Sequence, residues 1–95
     1  GPISVRSKSG KNQLVWSPVA GAASYDIYRS TAGPWSGFSL VADDHVTTYA
    51  TYLDLGLTDG VTYFYRVAPT DGTGEMMCGS EAVSGTPTAR TVRRR

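Results

Sequence analysis

No stretch of this chain sustains the i, i+3, i+4 apolar pattern of an amphipathic helix, which removes most architectures at once. Gly, Pro, Ser and Thr recur every few residues and leave short segments rich in Val, Ile, Tyr and Thr between them. Such segments, closed by turn residues roughly every 8–12 positions, predict strands, and many of them in one small chain predict an all-β sandwich or barrel. With 95 residues the chain builds one domain around a single core, too small to add a substantial enzyme cleft.

Seven strands are predicted, over residues 3–6, 13–16, 25–29, 38–41, 46–52, 63–67 and 81–86. Ser9-Gly10-Lys11-Asn12 turns the chain after the first. The loops read "SPVAGAAS", "STAGPWSG", "ADDH" and "PTDGTGEMMCG". Pro69 is expected to stop ladder pairing at the end of the sixth strand, since it has no N–H to donate.

Side chains alternate along a strand, so in "TYFYRV" Tyr63, Tyr65 and Val67 share one face and Phe64 and Arg66 the other. The first face is the core. Phe64 and Arg66 then stand outside, beside Asp26 and Tyr28 if the third and sixth strands are neighbours, with Asp26 and Arg66 as a cross-strand pair. Tyr63 opens its strand three residues after Gly60 and six after Leu57, the spacing of a tyrosine corner. Its hydroxyl is expected to bond back to the backbone near Asp59 or Gly60. The predicted core is Leu14, Trp16, Tyr25, Ile27, Leu57, Tyr63, Tyr65 and Val67.

Four of the nine basic residues, Arg90, Arg93, Arg94 and Arg95, lie in the last six positions. The body before them holds five basic and eight acidic residues, a net charge of −3 that argues against a nucleic-acid face on the folded domain. The "RTVRRR" end reads as a solvated tail or linker over residues 88–95, beyond a domain that ends at Pro87. Gly1-Pro2 reads as a scar left by tag removal. No apolar run approaches the ~18 residues of a membrane helix.

Little in the chain carries chemistry. His45, the one histidine, neighbours Asp43 and Asp44, but no G-x-S-x-G elbow supplies a nucleophile, and no enzyme is predicted. Cys78 is the one cysteine, so it reads as a free thiol in or beside a loop. Asp71 and Glu75 bracket a glycine-rich loop without the D-x-[DN]-x-[DN]-G pattern of a calcium site, and "DGTG" opens no helix that would cradle phosphate. No metal or cofactor is predicted. Loop aromatics remain. Trp35 and Phe38 flank glycines in "AGPWSGFS", with Met76 and Met77 in the later loop. The expectation is that Trp35 folds over the sandwich end and Phe38 enters the core. The alternative is a contact surface for polysaccharide or protein, made by Trp35 and Phe38 with Tyr28 and Phe64.

Leu14 and Trp16 in "LVW", Tyr25 and Ile27 in "YDIYRS", Leu57, Gly60, Tyr63 and Val67 in "LTDGVTYFYRV", and the closing "SEAVSGTP" together resemble a fibronectin type III domain across residues 3–87. The resemblance implies a seven-stranded antiparallel immunoglobulin-like sandwich. The "VAGAASYDIYRS" and "DLGLTDGVTYFYRV" phrasing is most similar to bacterial members, which sit beside catalytic and carbohydrate-binding modules of secreted polysaccharide hydrolases or in cell-surface proteins. That implies a monomeric accessory module of an extracellular protein, spacing and orienting its neighbouring domains. "TDGTGEMMCG" contains no Arg-Gly-Asp, so integrin binding is not implied, and no Trp-Ser-x-Trp-Ser box appears.

Overall fold

The structure, a computed structural model, describes residues 3–46, 50–73 and 79–89, without the side chain of Asp44. Glu75, Met76, Met77, Cys78, the arginine tail, Gly1-Pro2 and the middle of the predicted fifth strand lie outside the described residues.

Among the described residues seven strands form: β1 (Ser4–Lys8), β2 (Lys11–Val15), β3 (Ser24–Ser30), β4 (Ser39–His45), β5 (Thr51–Asp54), β6 (Tyr63–Thr70) and β7 (Val83–Gly85). They make two antiparallel sheets, ordered β1-β2-β5 and β4-β3-β6-β7. The chain is all-β, as the turn spacing predicts. Period-two alternation decides which side chains go inside: β2 buries Asn12 and Leu14, and β6 buries Tyr63, Tyr65 and Val67. Leu14, Trp16, Tyr25, Ile27, Ala50, Tyr63, Tyr65 and Val67 are the buried cluster between the sheets, while Leu57 is partly buried at its margin. Fully burying one large apolar side chain contributes roughly 1.5–3 kcal/mol. Trp16 and Tyr25 meet edge to face with ring centroids 5.0 Å apart.

Several boundaries differ from expectation, each for a local reason. The β1–β2 turn is only Ser9-Gly10, with Lys8 and Lys11 already paired and Gly10 at φ 74°. A glycine there removes the Cβ clash of positive φ, so two residues suffice. "ADDH" is not a loop but the end of β4, whose register shifts around Ile27 before Tyr25 pairs with His45. That end is anchored, because His45 Nε2 bonds the Thr51 carbonyl at 2.8 Å and the ring meets Tyr52 edge-on.

Pro69 does not end β6: it sits opposite Tyr25, and Thr70 opposite Ser24. Alternate residues of a strand aim their backbone groups at alternate edges. The Thr70 carbonyl accepts from Ala23 on the β3 side, and the Val67 carbonyl from Ser80 on the other. Pro69 shares Val67's orientation, so its missing N–H falls on the side away from β3.

In the observed register Asp26 faces Ala68 and Arg66 faces Tyr28, so Asp26 and Arg66 are diagonal neighbours on adjacent strands rather than directly opposite each other. The Tyr63 hydroxyl does accept a backbone N–H, but from Thr58 at 2.9 Å rather than from Asp59 or Gly60. The Gly60 N–H is already given to the Pro87 carbonyl at 2.7 Å.

Polar groups also tie the two sheets together inside the core. Asn12 on β2 donates to the Tyr65 hydroxyl on β6 at 3.0 Å and to the Gly85 carbonyl on β7 at 3.2 Å. Its own oxygen accepts from Ser7 at 2.6 Å. Every hydrogen-bonding group of that buried amide is thereby used, which is the condition for a buried polar group to be tolerated.

Candidate functional site

The outer face of the four-stranded sheet gathers the side chains that could meet a partner, and Arg66 organises it. Arg66 lies on β6 directly opposite Tyr28 of β3, with Leu40 of β4 next in the same cross-strand row. Phe64, two residues earlier on β6, points the same way. The Arg66 guanidinium lies 5.3 Å from the centroid of the Phe38 ring. It donates to the Pro34 carbonyl at 3.3 Å and the Ser80 carbonyl at 3.4 Å, so one side chain tethers the β3–β4 loop and the approach to β7.

Ser30 fixes the same loop from below. This serine is buried; its hydroxyl donates to the Ser36 carbonyl at 2.7 Å and accepts from the Ala32 N–H at 3.0 Å. Gly37 turns the chain back at φ 76°, and a Cβ there would come within 2.9 Å of the Ala32 methyl. The loop is closed on itself and leaves little conformational freedom to its tip.

That tip is Trp35, and it is 86% exposed. The expectation that Trp35 folds over the sandwich end is overturned. With Pro34 tethered by Arg66 and Ser36 by Ser30, the residue between them is held on the outer face beside solvent. Phe38 likewise covers Arg66, half-buried, instead of entering the core. Pro34, Trp35, Arg66, Ser80 and Glu81 line a shallow groove of about 250 Å³. Trp35, Phe38, Tyr28 and Phe64 therefore share one sheet face, with a charged donor at their centre. An exposed indole on a fixed loop can stack on a flat apolar surface while neighbouring polar groups bond the rim.

Nothing in the chain announced Arg66 as the organiser, because an arginine on an outward strand position is ordinarily solvated. The two acceptors and one ring that surround it come from distant segments. The candidates for chemistry are held in structural bonds: His45 by Thr51, and Asp71 Oδ1 by the Thr73 N–H and hydroxyl. Among the described residues no three His, Cys, Asp or Glu side chains come together as a metal site.

Two facing antiparallel sheets in this strand order, with a tyrosine corner before β6, define a class, and comparison with solved structures gives it a name: the chain has the fibronectin type III fold. An Fn3-like protein from Clostridium thermocellum superposes with a TM-score of 0.76 at 23% identity, over 98% of this chain and 93% of that one. The β-1,2-glucanase of Parabacteroides distasonis superposes with a TM-score of 0.80 at 23% identity, over 94% of this chain but 12% of the glucanase. In sequence, the amylopullulanase of Thermoanaerobacter thermohydrosulfuricus is 37% identical over 81 residues. The match takes in 85% of this chain and only 5% of the amylopullulanase. No family model matches the chain. The chain is thus similar to a small module of carbohydrate-active multidomain proteins.

Proposed function

We propose that this domain is a non-catalytic spacer in a larger extracellular, carbohydrate-active protein, holding its neighbours at a fixed separation. The observation that carries the reading is the small share of the amylopullulanase, 5%, that the chain matches while being a complete two-sheet sandwich. A domain that buries its own core needs nothing from its neighbours to fold, and a folded sandwich transmits orientation where a flexible linker does not. In this reading residues 3–87 are the rigid, monomeric unit and the basic residues 88–95 a linker to the next domain.

The test places the domain between two fluorescent proteins and compares energy transfer with a Gly/Ser linker of equal length. The spacer reading expects one narrow distance distribution. The linker gives a broad one, with an r.m.s. span of about 5–6 Å times the square root of its length. Equal breadth for both would overturn the reading.

The exposure of Trp35 favours a second reading, a polysaccharide-contact face built on Trp35, Phe38, Tyr28 and Phe64. Depletion by insoluble starch, cellulose, chitin and xylan, run beside Trp35→Ala, separates the two. The spacer expects no retention on any polymer. Retention that disappears in Trp35→Ala would replace it with the contact face.

A further inference from the structure

The net charge of the body conceals how its cations are placed. Only five basic residues precede Arg90: Arg6, Lys8, Lys11, Arg29 and Arg66. Arg29 is paired with Asp54, and Arg66 is engaged under Phe38. The other three all stand on the outer face of the three-stranded sheet. Arg6 and Lys8 occupy outward positions of β1, and Lys11 faces Lys8 across the hairpin.

In register with Arg6 lie Gln13 of β2 and Leu53 of β5, making one row across all three strands. Ser4, Val15 and Thr51 form the next row. Leu53 is 48% exposed and Val15 37%. Arg6, Lys8, Lys11, Gln13 and Leu53 line a groove of about 210 Å³.

Among the described residues no carboxylate projects from the outward positions of these three strands. Asp54 of β5 turns inward, and Asp59, beside the hairpin, gives its oxygens to the Ser9 hydroxyl at 2.6 Å and the Gly10 N–H at 2.8 Å. Among the described residues none forms an ion pair with Arg6, Lys8 or Lys11. Like charges facing each other across a hairpin oppose strand pairing, so Lys8 opposite Lys11 is not explained by stability.

We propose that this face docks an acidic polypeptide surface, supplied by a neighbouring domain of the same protein. The proposal rests on the module having such neighbours. The chemistry selects the partner. Aliphatic Leu53 and Val15 with an amide between them, bordered by cations, has the apolar centre and charged rim of a protein contact. A glycan would favour a planar aromatic ring, and among the described residues this face has none. A nucleic acid would favour a longer track of cations, with ring platforms if single-stranded.

The test is a titration of the isotope-labelled chain, followed by amide NMR, with a Glu/Leu peptide, with oligogalacturonate and with a short DNA duplex. It is run at about 0.01 M and about 0.1 M salt, between which the Debye length shrinks from about 30 to about 10 Å. We expect the peptide to shift the amides of Arg6, Lys8, Lys11, Gln13 and Leu53, and to bind more weakly at the higher salt. Arg6→Glu with Lys8→Glu and Lys11→Glu should weaken the peptide by about tenfold or more. Glutamine at the same three positions gives the same direction should charge reversal disturb folding. Peptide shifts absent, or mapping elsewhere, would overturn the proposal, as would tighter binding of the uronate or the duplex. A domain that passes the energy-transfer test but shows no shifts keeps its spacer role and loses this face.

Discussion

Tyr65 donates its phenol hydrogen to Asp54 Oδ2 at 2.6 Å, joining the two sheets through the middle of the core. The same carboxylate accepts Arg29 Nη1 at 3.0 Å on each oxygen, and Asn12 closes the set by donating to Tyr65. Removing one member of such a network strands the others, which costs more than the bond contributed. Asp54→Ala is therefore expected to cost about 2–4 kcal/mol, because Arg29 loses its counter-ion with its side chain only 31% exposed. Tyr65→Phe, which leaves the ring in place, should cost about 1–2 kcal/mol. Urea denaturation measures both, and an unchanged midpoint for Asp54→Ala would show that the tie carries no stability.

The same pair is expected to make stability fall at alkaline pH. Burial, then the hydrogen bond to Asp54, pushes the Tyr65 phenol well above its usual range, and burial followed by the Asp54 charge raises Tyr52. A group whose folded pKa is raised contributes stability that is complete below its unfolded value, near 10, and is lost as pH climbs through the folded one. Stability should accordingly be flat up to about pH 10 in this respect and fall above it. Tyr65→Phe, scanned by thermal unfolding across the same range, should show a shallower alkaline fall. Parallel curves would contradict the assignment.

Gly85 marks where β7 passes closest to β1. A Cβ at that position would lie 2.5 Å from Val5 Cγ1, 2.8 Å from Ser7 Oγ and 2.9 Å from Asn12 Oδ1. Asn12 and Ser7 are fixed by their own bonds, so the strand itself has to move. Gly85→Ala is expected to cost about 1–3 kcal/mol as an overpacking change. It should also weaken the bond that the Gly85 carbonyl accepts from Asn12. A melting temperature equal to that of the unchanged chain would refute the close approach.

The two tryptophans should report separately. Trp16 is 6% exposed and Trp35 86%. Trp35→Phe is expected to leave a blue-shifted emission that acrylamide quenches poorly, and Trp16→Phe a red-shifted emission quenched at a solvent-like rate. Equal quenching of the two variants would mean that the β3–β4 loop closes over its tip in solution.

How much of this could be read from the chain depended on whether a feature is periodic or convergent. The alternation in "TYFYRV" requires only that neighbouring side chains point opposite ways, so the inward set of β6 was legible from one segment. The placement of Trp35 was not, because it depends on Ser30 and Arg66, thirty-six positions apart, reaching the two carbonyls that flank it. Pro69 misled for a related reason: a missing N–H matters only on the paired edge, and which edge that is follows from the register. Asn12, Arg29, Asp54 and Tyr65 come from four strands of two sheets, and their partnership exists only once the sheets are stacked.

Tyr63 offers the cleanest separation of a hydrogen bond from packing. Its ring is buried under the Arg29 guanidinium, which lies 5.5 Å from the ring centroid, while its hydroxyl accepts the Thr58 N–H. Phenylalanine keeps the ring and removes only the acceptor, so Tyr63→Phe isolates the corner. The expected cost is about 0.5–1.5 kcal/mol, at the upper end if no water reaches Thr58. A loss of stability alone would not locate the cause, because a shifted ring would produce one too. Amide exchange resolves it: the Thr58 amide should lose protection while the amides of Tyr65 and Arg66, at positions paired with β7 and β3, keep theirs relative to global unfolding. Loss of protection spread evenly over β6 would instead assign the effect to packing.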